Sequence, residues 1–188
     1  MRLISSTLPD ISLLPTRPED AAALAALVRE NREHLQTYLP AVLQLDCVEA
    51  ARAYLRAAGA RAASGEVLEW HVFSGTVLCG SIRLKEIDAA DRKAKMGYYL
   101  SRPFQGRGIA SASVRAVLAH AFGALQLNRI ELQCAAGNQA SMALAGRLGF
   151  AHEGVLRQGE WLNGAFVDLH VYGLLRAEFA AGRACRPI

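Results

Sequence analysis

The stretch "RPFQGRGIASASVR", residues 102–115, places two glycines two positions apart, directly before an apolar pattern of helical period. The first N–H groups of a helix have no partner within the helix, and the positive end of the helix dipole lies at the same point. Gly106 and Gly108 lack a Cβ atom, so the backbone can adopt positive φ and approach a ligand, and Arg107 adds positive charge. The stretch therefore predicts a tight loop and a helix start that suit a pyrophosphate.

The motifs of two large nucleotide-binding classes do not fit this loop. A P-loop requires a Gly-Lys-Ser/Thr ending, which does not follow Gly106 or Gly108. A dinucleotide fingerprint requires a third glycine, but that position is Ser111, and the loop lies in mid-chain instead of after the first strand. A glycine-rich turn that caps a helix without binding a ligand remains an alternative for the stretch by itself.

Length and composition indicate one globular domain. We expect the 188 residues to form a single domain, residues 1–188, with a core at about 11–178 and short flexible termini. Hydrophobic residues make up 52% and charged residues 20%, which excludes an intrinsically disordered chain. The formal net charge is +4, but the arginines are scattered from Arg2 to Arg186 without a basic run, so we expect no nucleic-acid partner.

Targeting and metal-binding patterns are absent from the sequence. No apolar run approaches the roughly 20 residues of a membrane span, and no signal peptide is recognisable, so we expect a cytoplasmic protein without a membrane partner. The histidines form no HExxH motif and the cysteines no CxxC motif, which predicts reduced thiols and no metal site. The four cysteines are Cys47, Cys79, Cys134 and Cys185.

The hydrophobic periodicity changes repeatedly between helical and strand spacing. An extended segment at residues 11–17 precedes helical patterns at 18–39 and 47–64. Three strands follow, the first two joined at Ser74 and Gly75, and then come the helix after the glycine loop and a strand at 129–135. A short helix capped by Asn138 precedes two closing strands at about 151–160 and 166–175. This order predicts an α/β (α+β) fold with a mixed, largely antiparallel central sheet and helices on both faces.

Several segments together resemble one enzyme family. "QGRGIA", residues 105–110, is similar to the Q/R-x-x-G-x-G/A signature of the Gcn5-related N-acetyltransferases, and "NQASMALAGRLGFAHEGVLR" resembles a block downstream of it in that family. "NREHLQTYLP" and "GEWLNGAFVDLHVYGLL" resemble the RimJ/RimL branch, and within it the ribosomal-protein-serine acetyltransferases. The resemblance implies the GNAT fold over nearly the whole chain and acetyl transfer from acetyl-CoA (coenzyme A) as cosubstrate, without a metal.

The resemblance also implies which residues contact the cosubstrate. The glycine loop would hold the pyrophosphate, Asn138 would hydrogen-bond a pantetheine amide, and the edge of the strand at Tyr99 would pair with the pantetheine arm and offer a backbone N–H to an oxyanion. Cys134 alternates with apolar residues and is expected in the core, near the thiol of bound coenzyme A. The full expected set is Tyr99, Leu100, Gln105, Gly106, Arg107, Gly108, Ile109, Ala110, Cys134 and Asn138.

Glu160 is the residue that the resemblance implies as general base, acting through a water. An α-amine has a pKa of roughly 7.7–8.0, so a modest base suffices at neutral pH. We expect Trp161 to supply an apolar wall beside this carboxylate. Glu153 and Asp168 are alternative bases, and a solvent-facing Glu160 without a catalytic role is the other alternative.

The resemblance implies that Ser141 is the residue that faces the thioester sulfur. Many relatives carry a tyrosine four positions later as general acid, but this sequence has Ala145 there. A serine hydroxyl is a weak acid, so Ser141 is expected to donate a hydrogen bond to the departing sulfur. A serine that only satisfies the start of its helix is the alternative.

The acceptor amine is the least determined part of the site. The first two helices carry Asn31, Arg32, His34 and Tyr38, and relatives use helices at this point as one wall of the acceptor groove. We expect direct transfer to a protein N-terminus, with the N-terminal serine of the acidic ribosomal stalk protein as the first choice. A small amine, a non-catalytic acyl-CoA-binding module and a nucleotide-binding module are the alternatives. The resemblance and the exposed strand edges also admit a homodimer.

Overall fold

The computed structural model describes residues 3–182, so the predictions for Arg2, Cys185 and Arg186 lie outside the described residues. The strands are β1 (Ile4–Ser5), β2 (Ile11–Pro15), β3 (Leu68–Ser74), β4 (Val77–Asp88), β5 (Lys93–Leu100), β6 (Arg129–Ala135), β7 (Ala151–Leu162) and β8 (Ala165–Leu175). The α-helices are α1 (Ala21–Glu30), α2 (Arg32–Gln36), α3 (Val48–Ala63), α4 (Ile109–Gly123), α5 (Gln139–Arg147) and α6 (Arg176–Ala180). Short 3-10 helices lie at Pro18–Asp20, Pro40–Leu45 and Arg102–Phe104.

The strands form one sheet in the order β1-β2-β3-β4-β5-β6-β8-β7. The pairing of β5 with β6 is parallel, and the other neighbouring strands run antiparallel. This confirms the predicted mixed, largely antiparallel sheet. The predicted hairpin at Ser74 and Gly75 is also present, because β3 ends at Ser74 and β4 pairs back along it. No helix in the stretch 3–182 is long and apolar enough to cross a membrane.

The main core lies between one face of the sheet and the helices α4 and α5. Alternate strand residues such as Ile82, Leu84 and Leu132 point into it and are almost fully buried. The apolar stripe of α4 meets them: Val114, Val117, Leu118 and Ala121 are inaccessible to solvent. At about 25 cal/mol per Å² of apolar surface, this shared burial is the main force that holds α4, and therefore the loop before it, against the sheet.

The helices α1 and α3 cover part of the opposite face, where Leu24, Val28 and Leu55 form a second apolar cluster with Leu78. The prediction of one helix over residues 18–39 was wrong. Asn31 interrupts it with φ −116° and ψ 20°, and its side chain donates to Leu27 O at 2.8 Å. An asparagine side chain competes for helix backbone groups in this way, so α1 ends at Glu30 and α2 starts at Arg32.

The parallel pairing between β5 and β6 ends early. It joins Lys93 through Met96 to Arg129 through Leu132 and goes no further. From Gly97 to Leu100, β5 remains paired with β4 on one edge only. The sheet therefore separates here, and an unpaired backbone edge faces the gap.

Candidate active site

A cavity of about 890 Å³ occupies the gap between β5 and β6. The end of β5, the start of α4, the end of β6, the first turn of α5, and Glu160 on β7 form its walls. The structure thus brings together most of the residues that the sequence had singled out. Those that line the cavity are Tyr38, Tyr99, Leu100, Gln105, Gly106, Gly108, Ile109, Ala110, Cys134, Asn138, Ser141 and Glu160.

The glycine loop has the backbone geometry of an anion site. Gly106 and Gly108 have φ of 73° and 76°, which only glycine adopts without strain. Gly108 is the N-cap of α4 and offers no side chain to the helix, and the first helical bond runs from Ala112 N to Gly108 O. The N–H groups of the three residues before Ala112 therefore have no acceptor within the helix, at the positive end of its dipole. Arg107 is not part of the cavity wall, and its guanidinium lies over the Phe104 ring at 5.5 Å.

The free edge of β5 presents a backbone donor to the cavity. Ser101 N donates to Cys79 O at 2.8 Å on the β4 side. Because successive N–H groups of a strand point to opposite edges, the N–H of Leu100 points to the gap. Leu100 O lies 3.2 Å from His34 Nε2 on α2, which in turn lies 2.7 Å from Gln105 Nε2. These two contacts of His34 connect α2 with β5 and with the glycine loop.

The start of α5 fixes the position of Ser141. Asn138 caps this helix as predicted, with its side-chain oxygen accepting from Ser141 N at 3.2 Å. The Ser141 hydroxyl lies 2.9 Å from the Tyr98 hydroxyl on β5. Burial raises the pKa of Tyr98 to about 12, so this phenol is protonated at neutral pH. Tyr98 was not among the residues predicted from the sequence, although the alternation in "MGYYLS" does place it on the face opposite to Tyr99.

Cys134 is buried in the wall beside Ser141, as its alternation with apolar residues predicted. Burial raises the pKa of its thiol to about 11, and a hydrogen bond from Ser141 acts in the opposite direction. Cys79 is also a buried free thiol, whereas Cys47 is exposed. Within residues 3–182, no group of three or more His, Cys, Asp or Glu side chains could hold a metal ion.

Of the three carboxylates considered as the base, Glu160 is the one that lines the cavity. Glu153 is bound by both terminal nitrogens of Arg129, at 2.6 and 2.5 Å, which lowers its pKa. Asp168 accepts a hydrogen bond from Gln158 N at 2.7 Å, at an irregularity of β7. Both alternatives are therefore held by neighbouring groups away from the cavity.

Trp161 does not form the expected wall beside Glu160. Neighbouring residues of a strand point to opposite faces, and Trp161 is 60% exposed, with its ring edge-on to Phe166 at 4.7 Å. Leu169 and Gly159 line the cavity near Glu160 instead. The turn of this hairpin is anchored to α2, because Asn163 Nδ2 donates to Gln36 O and Thr37 O at 3.0 and 3.1 Å.

Two of the expected acceptor residues lie elsewhere. Asn31 is buried beside the loop, where its side-chain oxygen accepts from Arg102 N at 2.8 Å and so supports the segment that leads to Gly106. Arg32 is ion-paired with Asp46 at the surface. His34 and Tyr38, further along the same region, do line the cavity.

Basic side chains that were not predicted from the sequence form part of the cavity wall. Arg83 and Lys85 on β4 and Lys95 on β5 lie on the sheet face opposite to α4, because their neighbours Ile82, Leu84 and Met96 point into the core. The wall contains four Arg or Lys residues, Arg83, Lys85, Lys95 and Arg147, and Glu160 is its only carboxylate among the described residues. The alternation of basic residues in "RLKEI" and "KAKMG" could have revealed this face.

Comparison with known proteins finds related acetyltransferases. The family model of the acetyltransferase (GNAT) domain matches residues 10–151. A Bacillus subtilis protein named "Putative ribosomal N-acetyltransferase YdaF" is 34% identical over 170 residues, covering 90% of this chain and 93% of the relative.

Solved structures of acetyltransferases are also similar to this chain. A RimL ribosomal L7/L12 α-N-protein acetyltransferase in complex with coenzyme A, as a coenzyme A–cysteine disulfide, has a TM-score of 0.88 at 28% identity, covering 93% of this chain and 98% of that one. An acetyltransferase from Salmonella typhimurium that modifies the N-terminal serine of ribosomal protein L7/L12 has a TM-score of 0.85 at 28% identity, covering 93% and 99%.

Proposed function

This chain belongs to the acetyltransferase (GNAT) family, and from that membership we propose that its acceptor is the N-terminal α-amine of a ribosomal protein, with serine as the preferred first residue. The chain is an N-acetyltransferase, and acetyl-CoA is its cosubstrate. Relatives named for ribosomal proteins support the choice of acceptor. The proposal implies a cytoplasmic enzyme, since ribosomal proteins are made there.

The charge of the cavity wall is the observation that carries this choice over a small polyamine. A polyamine brings several positive charges, which would meet Arg83, Lys85 and Lys95 and only one carboxylate among the described lining residues. Like charges in a partly desolvated site repel and slow encounter. A peptide brings a single amine and can carry carboxylates behind it, so it suits this wall.

The residues of the wall fit the chemistry of direct acetyl transfer. The unpartnered N–H groups at the start of α4 would hold the pyrophosphate of acetyl-CoA, which supplies the activated acetyl group. The N–H of Leu100 points into the gap, where it can donate to the thioester oxygen as that oxygen becomes negative. A donor at such an oxyanion contributes roughly 10²–10³-fold in rate.

Glu160 and Ser141 act at the two other reacting atoms in this proposal. Glu160 accepts the proton that the amine loses, directly or through one water, as the C–N bond forms. Ser141 donates a hydrogen bond to the sulfur as the C–S bond breaks. The products are the acetylated amine and coenzyme A, and no acyl-enzyme forms.

The test is an acetyl-CoA turnover assay that measures release of the coenzyme A thiol. Peptides that begin with Ser, Ala or Met are compared with spermidine and an aminoglycoside, and the Ser peptide with its N-terminus chemically acetylated is the control. We expect turnover with the free Ser peptide and none with the blocked peptide. Turnover of spermidine but of no peptide would overturn the proposed acceptor, and coenzyme A binding without any turnover would indicate a non-catalytic module.

A further inference from the structure

The Tyr98–Ser141 pair joins two walls of the cavity that are far apart in the chain. Tyr98 lies on β5 and Ser141 in the first turn of α5, with 2.9 Å between their hydroxyl oxygens. Both side chains line the cavity. The backbone at Ser141 is held in place, since its N–H donates to the cap residue Asn138 at 3.2 Å.

The direction of this hydrogen bond follows from the properties of the two hydroxyl groups. A phenol is the stronger acid and therefore the better donor, and the Ser141 oxygen has two lone pairs to accept. Burial raises the pKa of Tyr98 to about 12, so the phenol keeps its proton near neutral pH and stays a donor. With its oxygen accepting from Tyr98, Ser141 directs its own proton elsewhere.

The proton of Ser141 is then free to point toward a sulfur atom. Cys134 lines the same cavity wall as Ser141, and Ser141 acts against the rise in the pKa of this thiol that burial causes. The position one turn later on α5 is Ala145, which is fully buried and has no polar atom to offer. The phenol that contacts Ser141 is therefore that of Tyr98 on β5, and not one from a tyrosine on α5.

We propose that Tyr98 is a positioning residue that donates to Ser141 Oγ and so directs the Ser141 proton toward the thioester sulfur of acetyl-CoA. This inference rests on the role given to Ser141 in the proposed function. When the C–S bond breaks, its electron pair stays on sulfur, and the thiolate accepts the hydrogen bond from Ser141 and then takes a proton from solvent. Tyr98 keeps its proton throughout.

The first test is a double-mutant cycle in turnover. We expect Tyr98→Phe to lower kcat by about tenfold, the value of one lost hydrogen bond, with less than about a twofold change in the KM for acetyl-CoA. In a Ser141→Ala background the same substitution should change kcat by less than about twofold, because Tyr98 acts through Ser141. Equal losses in both backgrounds, or no loss in either, would overturn the proposal.

The matched control is Tyr172→Phe. Tyr172 lies on β8 in the core cluster against which Tyr98 packs, but it is not part of the cavity wall. Its variant also loses one phenol hydroxyl from this core, and we expect wild-type kcat from it. A loss equal to that of Tyr98→Phe would show that any missing core hydroxyl has the same effect.

A second test needs no acceptor and so separates this inference from the proposed function. The thiol of bound coenzyme A is alkylated with iodoacetamide across a pH range, and the coenzyme A adduct is quantified by mass spectrometry. Tyr98→Phe, Ser141→Ala and the double variant should each raise the thiol pKa above the wild-type value, and by the same amount. A Tyr98→Phe profile that superimposes on the wild type would overturn the positioning role, even if peptides are acetylated.

Discussion

Lys85 and Lys95 are cross-strand partners on β4 and β5, and the ammonium groups of both face the carboxylate of Glu86. Lys95 Nζ lies 2.5 Å from this carboxylate and Lys85 Nζ lies 3.9 Å from it. The contact with Lys95 is the main cause of the lowered pKa of Glu86. One exposed carboxylate thus faces two lysines, so positive charge remains on the part of the cavity wall that Lys85 and Lys95 form.

This surplus charge predicts a preference for acidic acceptors. The double variant Lys85→Gln/Lys95→Gln should lower kcat/KM for a peptide with glutamates after its first residue by about three- to tenfold at low salt, and less at high salt. A peptide with glutamines in their place should show little change. Lys93→Gln alters an exposed lysine of the same strand outside the cavity wall and serves as the control. Equal effects on both peptides would contradict charge recognition.

Glu160→Gln tests the proposed role of Glu160 as general base. It should lower kcat by roughly 10²-fold, the usual contribution of a positioned base, and most strongly below pH 8, where the α-amine is mainly protonated. The measurement is a pH–rate profile for the free Ser peptide. Glu153→Gln is the control, since that carboxylate binds Arg129 away from the cavity, and its kcat should equal the wild type. A Glu160→Gln profile parallel to that of the wild type would assign proton removal to another group or to bulk water.

Gly108→Ala tests the loop geometry. At φ 76° an alanine costs about 1–2 kcal/mol, and the added Cβ meets no protein atom within 4 Å, so it occupies space beside the expected ligand. We expect at least a roughly tenfold rise in the KM for acetyl-CoA. Gly65→Ala imposes the same strain at φ 78°, also with nothing near its Cβ, but outside the cavity wall. If both variants change the KM equally, backbone strain alone is the cause.

His71 should make the fold less stable in mild acid. Its ring is 1% exposed with Nδ1 3.1 Å from Asp20 Oδ2, and burial lowers its pKa despite this carboxylate. Because the folded state binds a proton less readily than the unfolded state, the free energy of unfolding falls as the pH drops through the unfolded value of about 6.5. Urea denaturation at pH 8 and 5.5 measures this slope.

The His71→Gln variant should show a smaller slope between these two pH values, with a remainder from His120, whose pKa is also lowered by burial. The glutamine amide can still donate to Asp20, so the buried carboxylate keeps a partner. An unchanged slope would show that other groups cause the pH dependence.

Some parts of the site could be predicted because they depend on neighbours in sequence. Positive φ at Gly106 and Gly108, unpartnered N–H groups at a helix start, and the Asn138 cap are all formed within a few residues. The buried stripe of α4 is likewise visible in its helical period. The glycine loop and its helix could therefore be derived from residues 102–115 alone.

Other parts depend on strand register and on contacts between distant segments. Alternation along a strand puts Trp161 and Glu160 on opposite faces and groups Lys85 with other basic residues, but only the strand register shows which face meets the cavity. The Asn31 side chain likewise depends on a distant segment, since its oxygen accepts from Arg102 N.

The sequence by itself determined the glycine loop before α4, the element order and the candidate residues Ser141 and Glu160, since these follow from local conformation and family resemblance. Only the tertiary structure decided where the cavity opens and what faces it. The pairing of β5 with β6 stops at Met96 and Leu132, which exposes the edge at Leu100. The packing of α5 on this sheet then brings Ser141 to Tyr98, 43 residues away in sequence, because burial of apolar faces selects that register and no local preference does.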